Sequence, residues 1–159
     1  MRFLIPEHWS KFQHPDGRFD GVKFEKLIAT LLPNLYPGEW IPTKYSWDGK
    51  KDFYQQRGDE RRWAECKAYK EPISINVVSP TLIMALLDNA RVVLLFSYSR
   101  LNRNARMYLS QFGALTGRTV RVFDDEILED LILTHGELTK YFPNFSRVDL
   151  PPLVRIHRQ

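Results

Sequence analysis

The run Val92-Val93-Leu94-Leu95-Phe96 constrains the fold of this chain more than any other segment. Successive side chains of an extended strand point to opposite faces, so five apolar residues in a row require cover on both. That is the pattern of a central strand in a sheet flanked by helices. The neighbouring segments agree. Phe24, Leu27, Ile28, Leu31 and Leu32 recur at three- and four-residue steps behind a capping residue, Asp20, and predict a helix over residues 21–32 that stops at Pro33. Ala105, Tyr108, Leu109 and Phe112 predict another over 102–115, ended by Gly117.

Between these lie the candidate strands. Residues 40–47 are rich in aromatic and β-branched side chains, and 52–56 with 61–69 read as a hairpin turning at Arg57, Gly58, Asp59 and Glu60. Residues 72–79 fit a strand or a helix, and 81–89 fit a helix. A strand over 119–123 and a helix over 126–133, capped by Asp124 or Asp125, complete the order. The series is helix, three-strand meander, helix, buried strand, helix, strand, helix. It implies an α/β fold with a central mixed β-sheet and helices on both faces, a three-layer αβα architecture.

At 159 residues the chain fits one domain. Its 43% hydrophobic content sits near the globular average, which argues against disorder. We divide it into an N-terminal arm (1–19), a core (20–135) and a C-terminal extension or linker (136–159), whose proline-bearing end suggests a further regulatory region in a longer parent protein. No apolar run approaches the ~18 residues of a membrane helix, and Pro6 and Glu7 interrupt any signal-peptide core. A single cysteine, Cys66, excludes an internal disulfide and a cysteine-based zinc cluster. The expected compartment is cytoplasmic, with no membrane partner.

Within strand 61–69, Trp63, Glu65 and Lys67 share one face, and the small residues Ala64, Cys66 and Ala68 share the other. Folding the hairpin brings Asp52 beside this strand. Phosphodiester hydrolysis calls for a hard cation, and Mg²⁺ prefers oxygen ligands of the kind Asp52 and Glu65 supply, with the Cys66 backbone carbonyl as a further donor. Lys67 then suits orienting the attacking water or stabilising the charged transition state. Alone, Glu-x-Lys in a strand is a common surface salt bridge of small worth. Here it stands with an upstream Asp, a helix bearing Glu25 and the buried strand, in order.

In that order the sequence resembles the PD-(D/E)xK nuclease superfamily, and within it the Mrr-type restriction endonucleases of bacterial defence. The resemblance spans residues 24–132. It rests on FEKLIATLL in the first helix, DGKKD (48–52), WAECKAY (63–69), VVLLFSYS (92–99), AR (105–106) and VRVFDDEILEDLI (120–132). It implies a restriction-endonuclease-like fold and DNA cleavage with Mg²⁺, Mn²⁺ substituting, by Asp52, Glu65 and Lys67, with Glu25 as an accessory metal carboxylate. Lys50 and Lys51 stand where the family has glycines and an aliphatic residue, and with Arg100, Arg103 and Arg106 they are the candidate DNA contacts. Cutting two strands generally needs two centres, so a homo-oligomer is the matching assembly. Two other readings stay open. One is a nuclease-like fold that binds nucleic acid or a protein partner without cutting, and the other is an RNase.

Overall fold

The structure, a computed structural model, describes residues 6–43, 52–134, 141 and 142. After a short 3-10 turn (Pro6–Phe12) come α1 (Gly21–Leu35), β1 (Ile41–Pro42), β2 (Phe53–Arg57), β3 (Glu60–Lys67), α2 (Ile75–Leu87), β4 (Ala90–Ser97), α3 (Arg103–Thr116), β5 (Thr119–Asp124) and α4 (Asp125–Leu133). The strands form one mixed sheet in the order β1-β2-β3-β4-β5. The first three are antiparallel, while β3, β4 and β5 run parallel. Among the described residues the chain is thus α/β, with four α-helices around a five-stranded sheet.

The apolar run in β4 splits as its alternation demands. Val92, Leu94 and Phe96 face the core shared with α1 and α4, and Val93 and Leu95 face the core shared with α2 and α3. Two successive crossovers, β3-α2-β4 and β4-α3-β5, advance in one direction across the sheet. The right-handed rule therefore sets α2 and α3 on the same face. The opposite face is left for α1 and α4.

Local chemistry accounts for several element ends. Asp20 caps α1 by accepting the Val22 and Lys23 amides, and Asn102 caps α3 through the Ala105 amide. Gly117 ends α3 at φ 68°, a left-handed conformation that costs glycine nothing. The β2–β3 hairpin turns at Gly58 and Asp59 between the paired residues Arg57 and Glu60, with Gly58 at φ 63°.

Several sequence expectations shift. Helix α1 runs through Pro33 to Leu35, because burial of Leu31 and Leu32 on that turn outweighs one missing backbone donor. Of residues 72–79, those from Ile75 on belong to α2, which continues through Pro80 as a single helix. Trp9 and Phe12, at 0% and 2% exposure, pack into the α1–α4 core with Phe24 and Phe142. Trp9 meets Tyr98 and Phe142 edge-on at 5.1 and 4.9 Å. Phe142 belongs to the same core. Among the described residues, no helix is long and apolar enough to cross a membrane.

Leu94 is fully buried at the sheet centre. Leu94→Ala should cost about 2–5 kcal/mol in denaturant unfolding. Leu115→Ala, at a side chain 87% exposed, should stay within about 0.5 kcal/mol.

Candidate active site

The β2–β3 ladder begins with Phe53 opposite Ala64. Asp52 also donates its N–H to the Ala64 carbonyl at 2.9 Å, so two consecutive residues face one. That is the pattern of a β-bulge, which re-aims the bulged side chain. The Asp52 carboxylate lies against the β3 backbone, where Oδ2 accepts the Cys66 N–H at 2.6 Å. Ala64 and Cys66, two apart, turn their backbone groups to the same edge, so the Cys66 carbonyl also faces the Asp52 side.

Glu25, on the flank of the α1 apolar stripe, reaches the same place. Its carboxyl hydrogen-bonds to Asp52. Desolvation first, then the hydrogen bond to Asp52 and the Asp52 charge, raise Glu25 from 4.5 to about 7. Desolvation also raises Asp52, against the opposing pull of the Cys66 N–H, Glu25 and the Lys67 charge. The two carboxyls therefore hold a shared proton in the acid range, with Glu25 the donor.

On the other face of β3, Lys67 Nζ lies 2.6 Å from Glu65 Oε1, with side-chain exposures of only 11% and 7%. This is no surface pair. Cys66 sits between the two sets. Desolvation, followed by the charges of Asp52, Glu25 and Glu65, holds its thiol well above the usual range. The sulfur thus feels the acidic cluster rather than pointing away from it, as its strand position had suggested. Its protonated state removes it both as a nucleophile and as a soft ligand.

The donors that remain are carboxylate and carbonyl oxygens, which match a hard divalent cation in kind. Among the described residues, no group of three or more His, Cys, Asp or Glu side chains is gathered to hold a metal ion. Glu25 and Asp52 stand together, and Glu65 turns to Lys67. Glu25, read as an accessory, is the immediate neighbour of Asp52.

Sequence reasoning missed one charged pair nearby. At the carboxyl ends of the parallel strands Lys67, Ser97 and Asp124 are in register. Asp124, expected as a helix cap, makes no side-chain cap bond to α4. Its buried carboxylate accepts the Leu101 N–H at 2.7 Å and the Arg106 guanidinium at 2.5 and 2.6 Å. No local signal joins residues 18 apart on different elements. Arg106, named as a DNA contact, is thereby committed to Asp124. Arg100 and Arg103 are exposed and line a cavity of about 510 Å³ with Pro72, Leu101 and Asn102. Lys50 and Lys51 lie outside the described residues.

No family model and no curated protein matches the chain.

Two outcomes follow from the charges. A carboxyl raised on folding favours the fold while protonated. In metal-free solution the Glu25 contribution is complete below pH 4.5 and is lost as pH rises through about 7. Urea midpoints across that window should fall by about 1 kcal/mol equivalent, after allowance for solvent screening of the half-exposed group, and Glu25→Gln should flatten this slope. Arg106→Ala strands a buried carboxylate and should destabilise by about 2–3 kcal/mol, less than a fully buried pair because Arg106 is part exposed. The Arg106→Ala/Asp124→Asn double variant should recover part of that loss.

Proposed function

We propose that this chain is a metal-dependent endonuclease hydrolysing DNA phosphodiester bonds on a restriction-endonuclease-like αβα fold. We further propose that it serves as the effector nuclease of a bacterial restriction or anti-phage defence protein. One observation carries the reading: a buried Lys67–Glu65 pair and a proton-sharing Glu25–Asp52 pair flank the same residue, Cys66, at the end of β3. Ion pairs buried to this degree contribute little to stability, because desolvation offsets the attraction. Pairs of carboxyls forced together destabilise a fold. Four such groups around one strand end are best explained by chemistry.

The residues that would hold Mg²⁺ or Mn²⁺ are Asp52 and Glu25, with the Cys66 carbonyl beside them; Glu65, on the other face of β3 and paired with Lys67, would have to turn from it to join. Bound there, the cation supplies charge neutralisation at the phosphate and acidifies a water. Lys67 Nζ, held beside Glu65, is a donor suited to the charge that develops on the phosphoryl oxygens. Without a bound cation, burial and Asp52 raise Glu25 to about 7, and a cation binding there would displace that proton. The thiol of Cys66 stays protonated and hydrogen-bonds to Asp52.

Non-cleaving binding is the second reading, favoured by the engagement of Glu65 with Lys67 rather than with the other two carboxylates. Supercoiled plasmid in Mg²⁺ or Mn²⁺ separates the two, with RNA run alongside. Nicking should fall about 100-fold or more in Asp52→Ala and Lys67→Ala. Equal nicking by parent and both variants would remove the site from consideration. Salt-sensitive DNA binding that survives chelation, with no cutting under any condition, would favour the binding module.

A further inference from the structure

Helix α2 and the carboxyl part of α3 carry no charge. No Lys, Arg, Asp or Glu occurs from Ile75 to Leu87 or from Met107 to Gly117, although such residues make up 26% of the chain. The solvent side of a surface helix is where charge ordinarily collects, and a helix apolar all round belongs in an interior. In α2 the core takes Val78, Thr81, Leu82 and Ala85, while Ile83, Leu86 and Leu87 remain exposed, the last at 74%. Met107 and Leu115 stand exposed on α3.

These side chains form one surface. Both helices return antiparallel to the strands they connect, so they lie side by side and parallel on one face of the sheet. Their carboxyl ends are tied together. The Arg118 guanidinium, just past α3, donates to the Asn89 side chain at 3.0 Å and to the Ala90 carbonyl at 2.9 Å, just past α2. Leu86 and Leu87 therefore lie at the same end as Leu115, opposite the strand ends that carry Lys67 and Asp124. Two parallel helices of 13 and 14 residues, about 20 Å long and roughly 8–10 Å apart, offer an outward face on the order of 600 Å². Set against its own copy, that face buries about 1,200 Å², the lower bound for a specific interface.

An uncharged face fits few partners. A polynucleotide calls for cations, and an anionic membrane calls for a basic rim around the apolar stripe. The chain has a net charge of +4, so two copies repel over most of their surface and approach at least cost where charge is missing. A two-fold axis sets the same patch against itself, apolar on apolar, as an interface core depleted of charge requires.

We propose that the outward face of α2 and α3 is the interface of a symmetric dimer of this chain. Pairing there leaves the carboxyl ends of the parallel strands open on both copies, and it stands whether or not the chain cuts DNA. At the lower bound of size the pairing is reversible, so dilution returns single chains in which Leu115 is exposed.

Sedimentation velocity of the intact chain from about 1 to about 100 µM tests this. The mean mass should rise from that of one chain to that of two and stop there. Leu87→Lys/Leu115→Lys alters two exposed positions near helix carboxyl ends, where a cation suits the dipole, so the fold should persist, and thermal unfolding at the dilute end checks that it does. The double variant should pair about 100-fold or more weakly, because each copy brings unpaired ammonium groups into the interface. Leu87→Lys alone, expected to weaken pairing about tenfold, keeps the comparison if the double variant unfolds. Val22→Lys, at an exposed apolar position on α1, should pair like the parent. A parent that stays single throughout, a mass that climbs past two chains, pairing unaltered by the α2 and α3 substitutions, or an equal loss in Val22→Lys would each overturn the proposal.

Discussion

Strand β4 is buried on both faces, and most of the architecture is a consequence of that. Once Val92, Leu94 and Phe96 need one layer of helices and Val93 and Leu95 another, the strand must be central and its parallel neighbours must connect through crossover helices. Right-handed crossovers then assign α2 and α3 to one face and leave the other for α1 and α4. The carboxyl ends of β3, β4 and β5 come into line, with Lys67, Ser97 and Asp124 in one row. Open α/β sheets place their chemistry at that edge.

The charges gathered there are costly to fold. A half-buried Glu25 pressed on Asp52 and a buried Lys67 pinned by Glu65 each give up water without a full return in attraction. The helix–sheet cores on either side supply the stability that offsets this cost. The β-bulge at Asp52 is the device that makes the gathering possible. Plain alternation would set Asp52 opposite Glu65 and away from α1, whereas the extra residue swings its carboxylate onto the Cys66 amide and toward Glu25.

Arg106 and Asp124 serve a different purpose. The carboxylate ties β5 to the backbone at Leu101, just before α3, and the guanidinium neutralises it. This clamp holds the β4–α3 connection against the end of β5, beside exposed Arg100 and Arg103. Helix α1 divides its labour in a comparable way. One flank presents Glu25 to the sheet edge and the opposite flank carries the exposed Lys23 and Lys26, while the stripe between them is core.

Local pattern was enough to read the element order, the hairpin turn, the cap at Asp20, the helix end at Gly117, and the grouping of Glu65 with Lys67 on one strand face. Each of these is set within a few residues, by alternation, helical period or turn chemistry. The burial of the Lys67–Glu65 pair was not legible, since a Glu-x-Lys pair has the same spacing whether or not helices cover it. The Glu25–Asp52 contact, the bulge that creates it, the Arg106–Asp124 clamp and the packing of Trp9 against Phe142 all join segments remote in the chain. Only tertiary structure decided them, because pKa shifts and ion pairing depend on distance and solvent exclusion in space, and one-dimensional spacing encodes neither.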